Sequence, residues 1–203
     1  MKTTVRTHAG SVRIGHQRRP AWLALLGWLV LWIPCSVVAD DAYFTVQDAR
    51  TMLKEGVYLL DTNIAYRFSD SAMEALLNGI PLVLETQIKV GRQREWLWTD
   101  TVAALSQRHR LQYHALSDRY VIHNLNTDTR QSFTTLDDAL YALGTVRDFP
   151  MLDEKLLRPD AEYQVGVRAV LVIEELPTPM RLWAYVSDQW RHDSAWHTRR
   201  LQP

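Results

Sequence analysis

Three groups of residues in this chain carry side chains that could do chemistry. The first is a set of histidines beyond residue 39: His109, His114, His123, His192 and His197. Imidazole moves protons near neutral pH and binds zinc, but a zinc centre needs three or four ligands that converge. None of the five sits in a His-Glu-x-x-His arrangement, and His192 and His197 are five apart, which on a helix places them on different faces. His114 and His123 fall on the two arms of an expected hairpin, within reach of one another and of Asp118. All five read as solvated or hydrogen-bonded side chains.

The second group is the adjacent carboxylates Asp137-Asp138, Asp153-Glu154 and Glu174-Glu175. Acid–base work on a substrate needs two carboxylates held across a cleft at a set separation. Neighbours along a strand point to opposite faces instead. Asp137 and Asp138 fall where a helix begins, and negative charge is favoured at that end of the dipole. Ser106, Ser117, Ser132 and Ser187 lack a Gly-x-Ser-x-Gly frame, and no glycine-rich phosphate cradle occurs. The expectation is a protein with no catalytic residue, no metal ligand and no cofactor.

The third group is aromatic. Trp96 and Trp98 in REWLWTD, and Trp183 and Tyr185 in MRLWAYV, are each two residues apart. In a strand that spacing puts both rings on one face. Turned inward they are core; turned outward they form a flat apolar platform for a partner protein or a sugar ring. These four are the candidate binding residues.

The elements that must hold these groups are mostly strands. Alternation places Tyr58, Leu60, Ile64, Tyr66 and Phe68 on one face of VYLLDTNIAYRF, opposite Asp61, Asn63 and Arg67. Leu82, Leu84, Ile88 and Val90 alternate with Glu85, Gln87 and Lys89. Tyr163, Val165, Val167, Ala169, Leu171 and Ile173 form the longest stripe, with Val170 and Val172 behind it, as in a strand covered on both sides. RLQYHA and RYVIHN flank the turn LSD as a hairpin. Two short helices are expected: SDSAMEALLNG, with a capping box in Ser71 and Glu74 and a closing Gly79, and TTLDDALYALG, capped by Thr135 and closed by Gly144. MRLWAYV alternates again and reads as a strand after Pro177 and Pro179. The fold class is α+β, mainly antiparallel sheet with two or three short helices; sandwich and sheet-plus-helices remain open.

The first 39 residues set the address. Lys2, Arg6, Arg13, Arg18 and Arg19 precede an apolar run, Ala21 to Ile33, and Val37 and Ala39 stand three and one residues before Asp40. That is the layout of a secretory signal peptide cut before Asp40. Pro20 to Ala39 is also twenty residues without a charge, close to the ~20 that span a bilayer, so a retained anchor is the other reading. Pro34 stands where lipidation of Cys35 would need a small residue. Either reading puts residues 40–203 outside the cytoplasm, as one domain in the periplasm or tethered to the inner membrane. Membrane contact would come only through residues 20–39.

All 23 acids follow residue 39 while five of the 23 bases precede it, which leaves residues 40–203 at a formal −5. A nucleic-acid partner is excluded on that charge, since phosphate binding needs a basic face. Cys35 is the only cysteine, so residues 40–203 have no disulfide and no thiolate site.

The order of SDSAMEALLNGIPL, REWLW, RLQYHALSDRYVI, SFTTLDDALYALG, ELPTPMRL and QWRHDSAWHTRRL resembles the bacterial family known as domain of unknown function 4390. The likeness covers residues 41 to 203 almost throughout. It implies an exported protein of the proline-rich signal-peptide type, with no activity or site residues to carry over. The family's genes are often reported beside that of a membrane sensor kinase, which implies envelope signalling. Together these readings make the domain a non-enzymatic interaction or accessory module of the cell envelope. The alternative is a periplasmic module that binds a sugar, a lipid or a cell-wall fragment.

Overall fold

The computed structural model describes residues 43–92 and 100–201. The contacts set residues 41–203 apart as one unit. Residues 1–42, with the proposed cleavage positions Val37, Ala39 and Asp40, lie outside the described residues, as do Trp96 and Trp98.

Nine strands form two antiparallel sheets among the described residues. The smaller sheet holds β1 (Phe44–Lys54), β2 (Val57–Tyr66) and β7 (Thr145–Asp153), with β2 in the middle. The larger sheet runs β6 (Thr129–Phe133), β5 (Arg119–Asn124), β4 (Asp100–His114), β3 (Leu82–Arg92), β8 (Tyr163–Leu171) and β9 (His197–Arg200). Three helices interrupt the strands: α1 (Asp70–Leu77), α2 (Leu136–Gly144) and α3 (Thr178–Val186). The fold is therefore α+β and predominantly antiparallel.

The alternating stripes become the inner faces of the two sheets, and they share one core. Tyr58, Leu60 and Ile64 of β2 are buried with Leu82, Leu84, Ile88 and Val90 of β3 and with Val165, Val167 and Ala169 of β8. Phe44 is fully buried at the start of β1; a side chain of that size contributes roughly 2–3 kcal/mol through burial. Tyr66 and Thr86 place their hydroxyls 3.4 Å apart between the two sheets. Burial pushes the Tyr66 pKa up to about 12, with a smaller opposing pull from that hydrogen bond.

β1 was not among the expected strands. A bulge between Val46 and Asp48 shifts the register, so the buried residues Phe44 and Val46 are followed by Ala49 and the alternation breaks parity. A two-residue turn, Glu55 and Gly56, both with positive φ, joins β1 to β2. β7 holds Pro150, a residue that argues against a strand in sequence; it is tolerated because β7 is an edge strand.

The helices correct two details. The N-cap of α1 is Ser69, whose hydroxyl accepts from the Ala72 amide at 3.2 Å, rather than Ser71. Gly79, at φ 81°, closes α1 as expected, with the Gly79 and Ile80 amides donating to the Leu76 and Ala75 carbonyls. Thr135 caps α2 by accepting from the Asp138 amide at 3.1 Å. Gly144, however, does not turn left-handed. It is the last helical residue, and a Cβ there would overlap the Ile64 carbonyl oxygen, so glycine is required for α2 to lie against β2.

The largest correction concerns MRLWAYV. Residues 178–186 are helical, not a strand, with Pro179 in the first turn, where its missing N–H costs no intrahelical hydrogen bond. Met180 and Ala184, one turn apart, face inward.

Candidate functional site

Helix α3 decides what the aromatic candidates can do. Two residues apart on a helix means about 200° of rotation, so Trp183 and Tyr185 do not form a shared platform. Trp183 turns toward α1. Tyr185 turns the other way and donates its hydroxyl to Glu174 at 3.2 Å. Both are open to solvent, Trp183 at 74% and Tyr185 at 51% exposure.

Two residues that the sequence reading passed over complete this surface. Leu182 and Val186 are 71% and 78% exposed and stand one turn apart. With Trp183 and Tyr185 they cover the outer arc of α3 with apolar atoms. Their i, i+4 spacing was the available signal, hidden because the same stretch also alternates. Trp183 borders a furrow of about 440 Å³ between α1 and α3, whose apolar lining includes Ala75, Ile80, Met180 and the buried Trp190. Glu74 and Asn78 supply polar groups at its side.

Hydrogen bonds tie the start of α1 to the segment that follows α3. The Ser69 hydroxyl donates to the Gln189 carbonyl at 2.7 Å, and the Ser69 amide donates to Nε2 of His192 at 2.9 Å. The Ser71 hydroxyl, free of capping duty, donates to the Gln189 side chain. Arg181 reaches back to the Leu176 carbonyl at 3.1 Å.

Most of the acidic candidates, and His123, have structural partners, whereas His197 keeps a buried Nε2 without a hydrogen-bond partner among the described residues. Asp118 accepts from the Tyr113 hydroxyl at 2.8 Å, and His123 Nε2 meets Asp128 at 2.5 Å. Asp153 accepts from the Lys155 amide, and Asp137 and Asp138 occupy the first turn of α2. Glu175 pairs with Arg108 at 3.2 Å. Among the described residues, no group of three or more His, Cys, Asp or Glu side chains could hold a metal ion. Nor is any described helix long and apolar enough to cross a membrane.

Fold and surface together define a two-sheet α+β domain with a helix whose solvent-facing arc is apolar, beside an apolar furrow. The chain belongs to the family described as domain of unknown function (DUF4390), whose profile matches residues 41–200. Neither the curated proteins nor the solved structures provide a match.

Proposed function

We propose that residues 40–203 act as a non-enzymatic interaction module of the cell envelope, docking another envelope protein through α3. The observation that carries this reading is the solvent-facing apolar arc of Leu182, Trp183, Tyr185 and Val186 beside the α1–α3 furrow. Large exposed apolar side chains grouped on one element mark interaction surfaces, and aromatic anchors beside a pocket are where binding energy concentrates. The furrow is open to solvent rather than enclosed, which suits a segment of a protein better than a small ligand. Glu74 at its side and the −5 formal charge of residues 40–203 favour a partner segment with basic residues flanking its apolar ones. The envelope address comes from the basic, apolar and small-residue order of residues 1–39. The periplasmic region of a membrane sensor kinase is the partner that the family resemblance suggests.

Photo-crosslinkers placed in living cells at positions 183 and 186, with fully exposed Leu116 as the control position, test this. The reading predicts one envelope-protein adduct from 183 and 186 that Leu182→Glu abolishes. Equal labelling from position 116, or no adduct from α3, overturns it.

A further inference from the structure

A second surface lies on the larger sheet and shares no residue with the furrow. Arg110 on β4, His123 on β5 and Arg130 on β6 are direct register partners, so their side chains stand in one row on one face. Four residues along, on the same face, His114 faces Arg119 from the next strand. The opposite face at these strands carries buried Leu111 and Ile122 and is covered by α2, through Ala142 and Leu143. The row of bases is therefore on the outer face. Arg110, Gln112, His114, Val121, His123 and Arg130 line one hollow of about 230 Å³ there.

Charge makes the row unusual. Arg110 and Arg130 flank His123 with charges of the same sign, although residues 40–203 carry an excess of acids from which partners could be drawn. Arg108, two residues before Arg110 on the same face, is held by Glu85 at 3.3 Å and Glu175 at 3.2 Å. Arg110, Arg119 and Arg130 have no ion pair among the described residues. Asp128 pairs with His123 at 2.5 Å. Gln112 spends its amide on the Gly79 carbonyl at 3.2 Å. Arg110 and Arg130 thus stand about 10 Å apart at their backbones, two strand spacings, on either side of a hollow where neither forms an ion pair among the described residues.

We propose that this hollow binds a phosphate group, with Arg110 and Arg130 donating to its oxygens from either side. Guanidinium forks match phosphate oxygens two at a time, and the bound anion relieves the repulsion within the row. A free phosphate and a lipid headgroup share that chemistry.

The test titrates the purified full-length chain calorimetrically with two probes, inorganic phosphate and short-chain phosphatidylglycerol kept below its micelle concentration. A site for free phosphate binds the inorganic ion about tenfold or more tighter than the diester, and a headgroup site shows the reverse. Arg110→Gln and Arg130→Gln should each weaken the preferred probe about tenfold, whereas Arg50→Gln, on the other sheet, leaves it unchanged. Without the probe, Arg130→Gln should keep or raise the thermal midpoint, because a repulsion is removed; the probe-induced rise seen in the wild-type chain should vanish. Binding of neither probe, or binding that both arginine variants leave intact, overturns the assignment.

Discussion

The Ser69 amide donates to Nε2 of His192 at 2.9 Å, joining positions 123 residues apart. An amide N–H can only donate, so Nε2 is an acceptor and the ring is neutral with its proton on Nδ1. The ring is 1% exposed and lies 4.3, 5.5 and 6.0 Å from the rings of Tyr43, Phe44 and Phe68. This one histidine ties the entry of β1, the cap of α1 and the segment after α3 into a single junction.

That junction should make stability depend on pH. Burial lowers the His192 pKa from 6.5, with smaller opposing pulls from the Trp190 backbone and Asp193. As pH falls, the unfolded chain takes up the proton first, so the contribution is complete above about pH 6.5 and declines toward the depressed native value. His109, also lowered by burial, adds a slope of the same sign. Urea unfolding at about pH 7.5 and about pH 5.5 should show a smaller loss for His192→Gln than for the wild-type chain. His192→Phe, which leaves the Ser69 amide unpaired, should cost about 1–3 kcal/mol at either pH. An unchanged slope in His192→Gln would contradict the assignment.

The cap of α1 can be checked by paired substitutions. Ser69→Ala removes both the cap and the hydrogen bond to Gln189, and should cost about 1–2 kcal/mol. Ser71→Ala should stay within about 0.5 kcal/mol. Equilibrium unfolding decides between them, and a larger cost at Ser71 would restore the sequence-based cap.

Gly144→Ala should be among the more harmful small substitutions in the domain, since the added carbon meets the Ile64 carbonyl. A loss of about 1–3 kcal/mol is expected from overpacking. Gly56→Ala meets nothing within 4 Å and is opposed only by its φ of 78°, a cost of about 1–2 kcal/mol. Thermal melts of the two variants measure the difference, and a silent Gly144→Ala would mean that α2 can move off β2.

Trp183 and Trp190 border the same furrow but should respond oppositely. Trp190→Ala opens a buried site and should cost about 3–5 kcal/mol. Trp183→Ala, at an exposed position, should leave unfolding within about 0.5 kcal/mol while reducing crosslinking from Val186. Loss of stability at Trp183 would make it a structural residue.

Where alternation was unbroken, the sequence disclosed the strand: β2, β3 and β8 follow their stripes, and the hairpin of β4 and β5 pairs His114 with Arg119 around its turn. Local capping was legible where it used only local atoms, as at Thr135. The cap of α1 was harder to read because Ser71 offered the same local pattern and Ser69's partners, Gln189 and His192, come from the far end of the chain. α3 was misread because the alternation in MRLWAYV competes with the i, i+4 pair of Leu182 and Val186. Nor could single strands reveal the phosphate-site row, which exists only once register sets Arg110, His123 and Arg130 side by side.

The envelope address underlies the docking proposal, and mapping the mature N-terminus tests it most directly. Cells would be fractionated into cytosol, periplasm and membranes, and the chain's first residue determined by mass spectrometry in each fraction. The account predicts a chain in the periplasmic fraction that begins at Asp40. An intact chain in the inner membrane would replace cleavage by a retained anchor and keep the domain on the same side. A soluble, intact chain confined to the cytosol would contradict the account.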